Sequence, residues 1–177
     1  LQKLIIELPF GTPEAEAPTP PPRSELLPGV DDVAPVLSLG GVYDWYEPTT
    51  VRDAMPAMLE RDPRTVLVFV EHPHPALTPL EEAERVRSLA KRRGWLGSTV
   101  RFEPWRQYDR RFEVAQVADV AVVTHRPGLE TDLSLRTRLV DLMWLGLTAV
   151  VTSGGTLARV VEETGAGTVV PAGDEAA

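Results

Sequence analysis

The feature that most constrains this fold is a regular alternation of short apolar strands with helices. Predicted strands lie at 36–39, 65–70, 100–102, 119–124, 148–152 and 168–170, and predicted helices at 48–61, 79–93, 108–117, 132–146 and 156–164. Segments such as 66–70 and 120–123 are apolar on both strand faces, so helices must cover both. The pattern predicts an α/β fold, a doubly wound and mostly parallel sheet with helices on both faces.

Composition and charge narrow the possible functions. The chain has 177 residues, of which 43% are hydrophobic and 25% charged, as in an ordinary globular protein and unlike a disordered or multi-span membrane protein. The formal net charge of −8 repels a polyanion, so no nucleic-acid partner is expected. The absence of cysteine excludes thiol catalysis and suits a cytoplasmic protein.

The first 35 residues differ in composition from the rest of the chain. A short strand is predicted at 3–8, and residues 11–35 hold seven of the 17 prolines, which fix φ and lack a donor N–H. We therefore expect a strand and Pro-rich linker over 1–35 and one domain over 36–177, as a fragment of a longer chain. The longest apolar run, 66–70, is far shorter than the ~20 residues of a transmembrane helix.

In a doubly wound sheet, ligands bind beyond the carboxyl ends of the strands. Gly40 and Gly41 follow the first strand of the predicted domain, where a bare backbone can approach a phosphate. Their spacing is not G-x-G-x-x-G, so the dinucleotide fingerprint is absent. The alternative is a simple tight turn, and Asp44 with Trp45 either contacts a sugar or orders the loop.

A second loop leads into a helix that carries Arg136 and Arg138. A guanidinium near a helix N-terminus matches two phosphate oxygens and makes a good diphosphate clamp. The two arginines lie roughly 200° apart around a helix, so they serve one ligand only if the first turn is irregular. The alternative for Arg138 is a surface ion pair with Asp141, three residues further on.

A third loop contains Gly154 and Gly155, which either present backbone N–H groups to a sugar or phosphate or form a turn and helix cap. His72 and His74 lie two residues apart but have no third ligand at a recognisable spacing, so no metal site is expected. The chain has no G-x-S-x-G motif, which argues against a serine hydrolase.

Several segments, weak singly, are more specific in their order and spacing. They are Pro9-Phe10-Gly11, the glycine loop 39–48, the middle strands 102–105 and 118–120, the helix segments 129–131, 136–141 and 144–147, and the exit 169–174. Together they resemble the C-terminal, donor-binding domain of GT-B glycosyltransferases, in the group called family 4 or glycosyl transferases group 1. The resemblance covers nearly the whole chain and implies a Rossmann-like half of the GT-B fold. It also implies that residues 1–35 form an interdomain strand and linker, and that the chain is a fragment of a longer two-domain enzyme.

The resemblance also implies roles for single residues. The family's helix carries two glutamates separated by seven residues, and Asp141 stands at the second, which binds the nucleotide ribose. Leu133 stands eight residues earlier, so Glu130 is the nearest candidate for the first acid, at a longer spacing. The family's basic pair is missing after the glycines, and Arg138 or Arg136 is expected to replace it. The candidate catalytic residues are thus Arg138 and Arg136, and the donor-binding ones Gly40, Gly41, Asp44, Trp45, Glu130, Asp141, Gly154 and Gly155.

The implied reaction is transfer of a sugar from a nucleoside-diphosphate sugar to an acceptor held by a separate N-terminal domain. The resemblance implies no metal or other cofactor, and the isolated domain is expected to bind donor weakly and transfer nothing. A peripheral contact of the full-length protein with a membrane stays open. The alternatives are a nucleotide-sugar epimerase of the same fold and a non-catalytic doubly wound interaction module. The assignment requires Gly40, Arg138 and Gly154 to lie along one edge of the molecule.

Overall fold

The computed structural model describes residues 11–76, 78 and 80–173, and it confirms the predicted fold class. The strands are β1 (Val36–Gly41), β2 (Val66–Val70), β3 (Val100–Glu103), β4 (Val120–Val123), β5 (Ala149–Thr152) and β6 (Gly167–Val170). They form one sheet in the order β3-β2-β1-β4-β5-β6, and every neighbouring pair is parallel. The chain winds outward from β1 to β3, returns to β4 beside β1, and winds outward to β6 in the opposite direction. This is a doubly wound sheet.

Helices connect the strands. They are α1 (Arg23–Leu26), α2 (Thr49–Arg61), α3 (Glu81–Arg92), α4 (Glu113–Gln116), α5 (Leu129–Leu133), α6 (Thr137–Trp144) and α7 (Gly155–Thr164). Two predicted helices are wrong in extent. The one at 108–117 divides into a 3₁₀ turn over Tyr108–Arg110 and the short α4, and the one at 132–146 is broken between α5 and α6.

The side chains of β2 show how the sheet is covered on both faces. Leu67 and Phe69 pack into a cluster with residues of α2 and α3, including the fully buried Met55. Val66 and Val68 alternate with them and pack on the other face with α1 and α4. A third cluster joins β4 and β5 to α6 and α7. The apolar character of both strand faces is therefore explained by helices on both sides of the sheet.

Part of the Pro-rich segment packs against the folded domain. Leu27 in the segment after α1 is fully buried, and the guanidinium of Arg23 donates to Val117 O at 3.0 Å and to Ala34 O at 2.9 Å. Further upstream, Trp144 Nε1 donates to Ala15 O at 2.9 Å. The boundary at residue 35 stays a prediction, and the strand predicted at 3–8, like Pro9, Phe10 and Asp174, lies outside the described residues. None of the helices in the described part of the chain is long and apolar enough to cross a membrane.

Candidate functional site

A cleft of about 390 Å³ opens at the carboxyl edge of the sheet, at the point where the winding direction reverses between β1 and β4. We call it the large cleft. Its wall includes the end of β1 and the first half of α6, with Arg111 and the aromatic rings of two tyrosines, one tryptophan and one phenylalanine around them. The residues that matter below are Gly40, Gly41, Tyr43, Tyr46, Trp105, Arg111, Thr137, Arg138 and Asp141. Ligands of open parallel sheets bind at such a reversal.

The bend at the end of β1 is held by Arg138. Its Nη1 donates to Leu39 O at 2.6 Å and its Nη2 to Gly41 O at 2.9 Å. Gly40 has φ +66°, and a Cβ there would lie 3.5 Å from the guanidinium. The predicted glycines and the predicted arginine are therefore brought together. Among the described residues Arg138 forms no ion pair with Asp141, so the alternative interpretation of their spacing is not observed.

Asp141 lies one helical turn beyond Arg138 and lines the large cleft. Partial burial raises the pKa of its carboxyl group, and the positive charges of Arg111 and Arg138 oppose that rise. Burial makes the ionised form of this carboxyl less stable, so a ligand that donates a hydrogen bond to it stabilises that form. The position is suited to a hydroxyl group.

A second, small cleft of about 180 Å³ adjoins the first. The two share Tyr46, Thr137 and Arg138 as a common wall. Its other lining residues include Trp45, His125, Glu130, Ser134 and Arg136. The predicted site residues on β1 and on the arginine-bearing helix therefore line two adjacent cavities.

The break between α5 and α6 explains why both arginines reach the small cleft. Ser134 is extended, with ψ 134°, and α6 begins only at Thr137. Arg136 thus precedes the helix and turns toward β5, where its Nη1 donates to Thr152 O at 2.5 Å and its Nη2 to Ser153 O at 3.2 Å. Its side chain is buried, and burial lowers its pKa. The irregular first turn that a shared ligand requires is present.

His125 is a site residue that the sequence analysis missed. It follows β4 directly, its ring packs 4.6 Å from that of Tyr46, and it is buried in the wall of the small cleft. Burial, together with the charges of Arg136 and Arg138, lowers the pKa of its imidazole to about 4. The imidazole is therefore neutral at pH 7. The sequence feature that could have identified His125 is its position directly after a buried strand, next to the point where the winding direction reverses.

Asp44 and Trp45 separate in the structure. The carboxylate of Asp44 accepts a hydrogen bond from Glu82 N at 3.1 Å, at the start of α3, and Asp44 lines neither cleft. Trp45 is 46% exposed, stacks on Tyr43 with ring centroids 4.6 Å apart, and lines the small cleft. Of the two interpretations of this pair, ordering the loop fits Asp44, and contact with a ligand remains open to Trp45.

Gly154 and Gly155 lie at the same edge of the sheet but line neither cleft. They pack against α5: a Cβ on Gly154 would lie 2.9 Å from Asp132 Oδ1, and one on Gly155 would lie 3.0 Å from Thr131 O. Gly154 is linked to the site through Arg136, whose Nη2 would lie 3.5 Å from that Cβ. Their observed neighbours are protein atoms.

His72 lines the large cleft, and no three His, Asp or Glu side chains of the described part are grouped to hold a metal ion.

Replacing Gly155 by Ala is expected to lower the free energy of unfolding by about 1–2 kcal/mol, because Gly155 has φ +73° and its Cβ would press on Thr131 O. Denaturant unfolding measures the loss. Gly165→Ala is the matched control, because Gly165 has φ +69° but no atom within 4 Å of its Cβ. A loss in Gly155→Ala that is no larger than the loss in the control would contradict the packing role.

Comparisons with known proteins support the fold. No protein-family model matches the chain, and no curated protein matches it in sequence. Among solved structures it is similar to HepE from Anabaena in complex with UDP and glucose, with TM-score 0.63 and 17% identity over 86% of this chain and 38% of that one. It is also similar to the C-terminal domain of the glycosyl transferase group 1 family protein LpcC from Francisella tularensis, with TM-score 0.58 and 14% identity over 80% of this chain and 69% of that one.

A third similar structure is UDP-GlcNAc 2-epimerase from Methanocaldococcus jannaschii, with TM-score 0.54 and 12% identity over 82% of this chain and 36% of that one. The chain therefore spans well under half of the HepE and epimerase chains. These similarities confirm the Rossmann-like half of a GT-B fold that the sequence resemblance implied.

Proposed function

We propose that this chain is the donor-binding domain of a glycosyltransferase and that its two adjacent clefts hold a nucleoside-diphosphate sugar. The observation that carries the proposal is the meeting of Arg138, the glycine bend and Asp141 in one cleft at the winding reversal. A guanidinium beside bare backbone suits a diphosphate, and an acid one helical turn away suits a ribose hydroxyl. The solved HepE complex with UDP and glucose, which shares the fold, supports this choice of ligand.

The division of the donor between the clefts follows from their sizes and their shared wall. The nucleoside belongs in the large cleft of about 390 Å³ and the sugar in the small cleft of about 180 Å³. The diphosphate then lies at the wall formed by Thr137, Arg138 and Tyr46. Arg138 stabilises the negative charge that develops on the departing diphosphate, which is the main electrostatic task of the reaction. No metal is required for this role.

The acceptor and any group that activates it belong to an N-terminal domain outside this chain. We therefore expect the 177-residue chain to bind donor without transferring its sugar. Isothermal titration calorimetry with UDP, GDP, dTDP and ADP tests the donor-binding proposal directly. Failure to bind any of the four would contradict it and would favour a non-catalytic interaction module.

An epimerase is the second candidate, because UDP-GlcNAc 2-epimerase from Methanocaldococcus jannaschii shares the fold. The two functions are separated by the full-length protein and the donor that it binds. An epimerase changes the configuration of the donor sugar without any acceptor, whereas a glycosyltransferase transfers the sugar to an acceptor, forming a glycoside and releasing the free nucleoside diphosphate. Chromatography of the reaction products distinguishes them.

Asp141→Asn is expected to weaken binding of the preferred nucleoside diphosphate about tenfold or more, because it removes a charged acceptor worth about 1.5–3 kcal/mol. The same change is expected to leave stability at pH 7 equal or higher, since burial raises the pKa of this carboxyl and so disfavours its ionised form in the folded protein. Calorimetry and thermal unfolding measure the two effects. Asp109→Asn, at an exposed residue outside both clefts, is the control. Unchanged affinity in Asp141→Asn would remove Asp141 from the site.

A further inference from the structure

Two residues in the wall of the small cleft each carry a buried polar atom without a partner. The atoms are Nδ1 of His125 and Nε of Arg136, and neither has a hydrogen-bond partner among the residues that the structure describes. The exposed fractions of these residues are only 8% and 5%. A buried polar group without a partner costs about 1–3 kcal/mol, so a ligand that supplies the partner gains affinity.

The two residues are fixed side by side through Thr152. The backbone N–H of His125 donates to Thr152 Oγ1 at 3.0 Å, and Nη1 of Arg136 donates to Thr152 O at 2.5 Å. Tyr46 holds the imidazole from the other side, with ring centroids 4.6 Å apart. Both residues are therefore neighbours of Thr152, and both line the small cleft.

The hydrogen-bonding chemistry of this pair is complementary. Nε–H of Arg136 is a donor only, and a neutral imidazole has one donor nitrogen and one acceptor nitrogen. At pH 7 the imidazole is neutral, because burial and the neighbouring arginines lower its pKa to about 4. A hydroxyl group satisfies both residues at once, since it accepts from Arg136 and donates to His125. A carboxylate or phosphate accepts from Arg136 but has no proton for His125.

We propose that one hydroxyl group of the donor sugar bridges Nε of Arg136 and Nδ1 of His125, so that these two residues select a neutral sugar with a hydroxyl at that position. This proposal rests on the proposed donor-binding function and adds to it the recognition of the sugar. Trp45, which is 46% exposed, also lines the small cleft and adds apolar surface to the same subsite. Arg136 then positions and recognises the sugar, while Arg138 contacts the diphosphate.

The test measures how much the sugar adds to affinity. The full 177-residue chain is titrated with UDP, GDP, dTDP and ADP, and with UDP-glucose, UDP-galactose, GDP-mannose, dTDP-glucose and ADP-glucose. For the preferred sugar nucleotide we expect about fivefold to tenfold tighter binding than for its nucleoside diphosphate. In His125→Phe, which keeps an aromatic ring against Tyr46, this ratio falls to about one, while nucleoside-diphosphate affinity stays within about twofold. His74→Phe, at an exposed residue outside both clefts, is the matched control.

A second measurement needs no variant. The chain has three histidines, so a ¹⁵N-histidine-labelled sample gives few imidazole resonances, and His125 is identified by its low pKa of about 4. We expect the His125 Nδ1 resonance to have the shift of an unprotonated nitrogen and to move on addition of the sugar nucleotide but not of the nucleoside diphosphate.

Each outcome decides between the proposals. A ratio that persists in His125→Phe, an Nδ1 resonance that is protonated or does not respond, or nucleoside-diphosphate binding with no gain from any sugar overturns the hydroxyl bridge and leaves the donor-binding function standing. Failure of the wild-type chain to bind any nucleotide overturns both.

Discussion

Arg138→Met is expected to weaken binding of the preferred nucleoside diphosphate about 100-fold. Charge-assisted hydrogen bonds from a guanidinium to phosphate contribute about 1.5–3 kcal/mol, and Arg138 stands at the wall between the two clefts. The change also removes the donors that hold Leu39 O and Gly41 O, so the glycine bend loses its support. Calorimetric titration at low and at physiological salt measures the loss.

Two further variants separate the charge of Arg138 from its geometry. Arg138→Lys keeps a positive charge but has no planar fork to bind two carbonyl groups and a diphosphate together, so we expect an intermediate loss of about tenfold. Arg159→Met, at an exposed arginine on α7, removes the same net charge away from both clefts and is expected to change affinity less than twofold. Wild-type affinity in Arg138→Met would remove Arg138 from the diphosphate site and with it the main support for donor binding.

The sheet was predictable because each strand carries its own signal. Residues 66–70 are apolar on both strand faces and too few for a buried helix, so they indicate a buried strand. A helix between two successive strands returns the chain to the same end of the sheet, so the strands pair in parallel. The meeting of Gly40 with Arg138 was also within reach, because a loop after β1 and a helix after β4 must face each other at the winding reversal.

The break before α6 could not be read from the sequence in the same way. Residues 133–136 contain neither Gly nor Pro, and their local preferences favour a continuous helix. The helix stops because Arg136 forms its hydrogen bonds with the carbonyl groups at the end of β5, about 16 residues away along the chain. That contact exists only once the sheet has formed. The same break lets both arginines line the small cleft, which a continuous helix would not allow because it would place them roughly 200° apart.

Gly154 and Gly155 show the opposite limit. Two glycines after a strand predict a close approach of something to the backbone, and the structure contains that approach. The neighbour is α5 of the same chain. Asp44 is a similar case, because its carboxylate is placed by the start of α3 rather than by a cleft. The sequence indicates that another group packs close to the glycine backbone and that the Asp44 carboxylate accepts a hydrogen bond. Which group this is depends on how the helices and strands pack.

The environment of His125 also predicts a large effect of pH on stability. Its pKa falls from 6.5 to about 4 on folding, because of burial and of the arginines at 136 and 138, and the Tyr46 ring covers its other side. Protons therefore bind the unfolded chain more strongly than the folded one as the pH falls below about 6.5. Stability that is present at pH 7 is lost on acidification, by about 2 kcal/mol at pH 5 and about 3 kcal/mol at pH 4.

Urea unfolding of the wild type and of His125→Phe at pH 7, 6, 5 and 4 isolates this contribution, because all other titrating groups are common to both proteins. We expect the free energy of unfolding of the wild type to fall relative to His125→Phe by about 2 kcal/mol between pH 7 and pH 5. The carboxylates lose their own contributions in both chains and cancel in the difference. His74→Phe removes an exposed histidine and is expected to track the wild type throughout. Parallel curves for the wild type and His125→Phe would show that this imidazole takes up protons in the folded chain as readily as in the unfolded one. The neutral acceptor that the sugar hydroxyl requires would then be absent below pH 6.5.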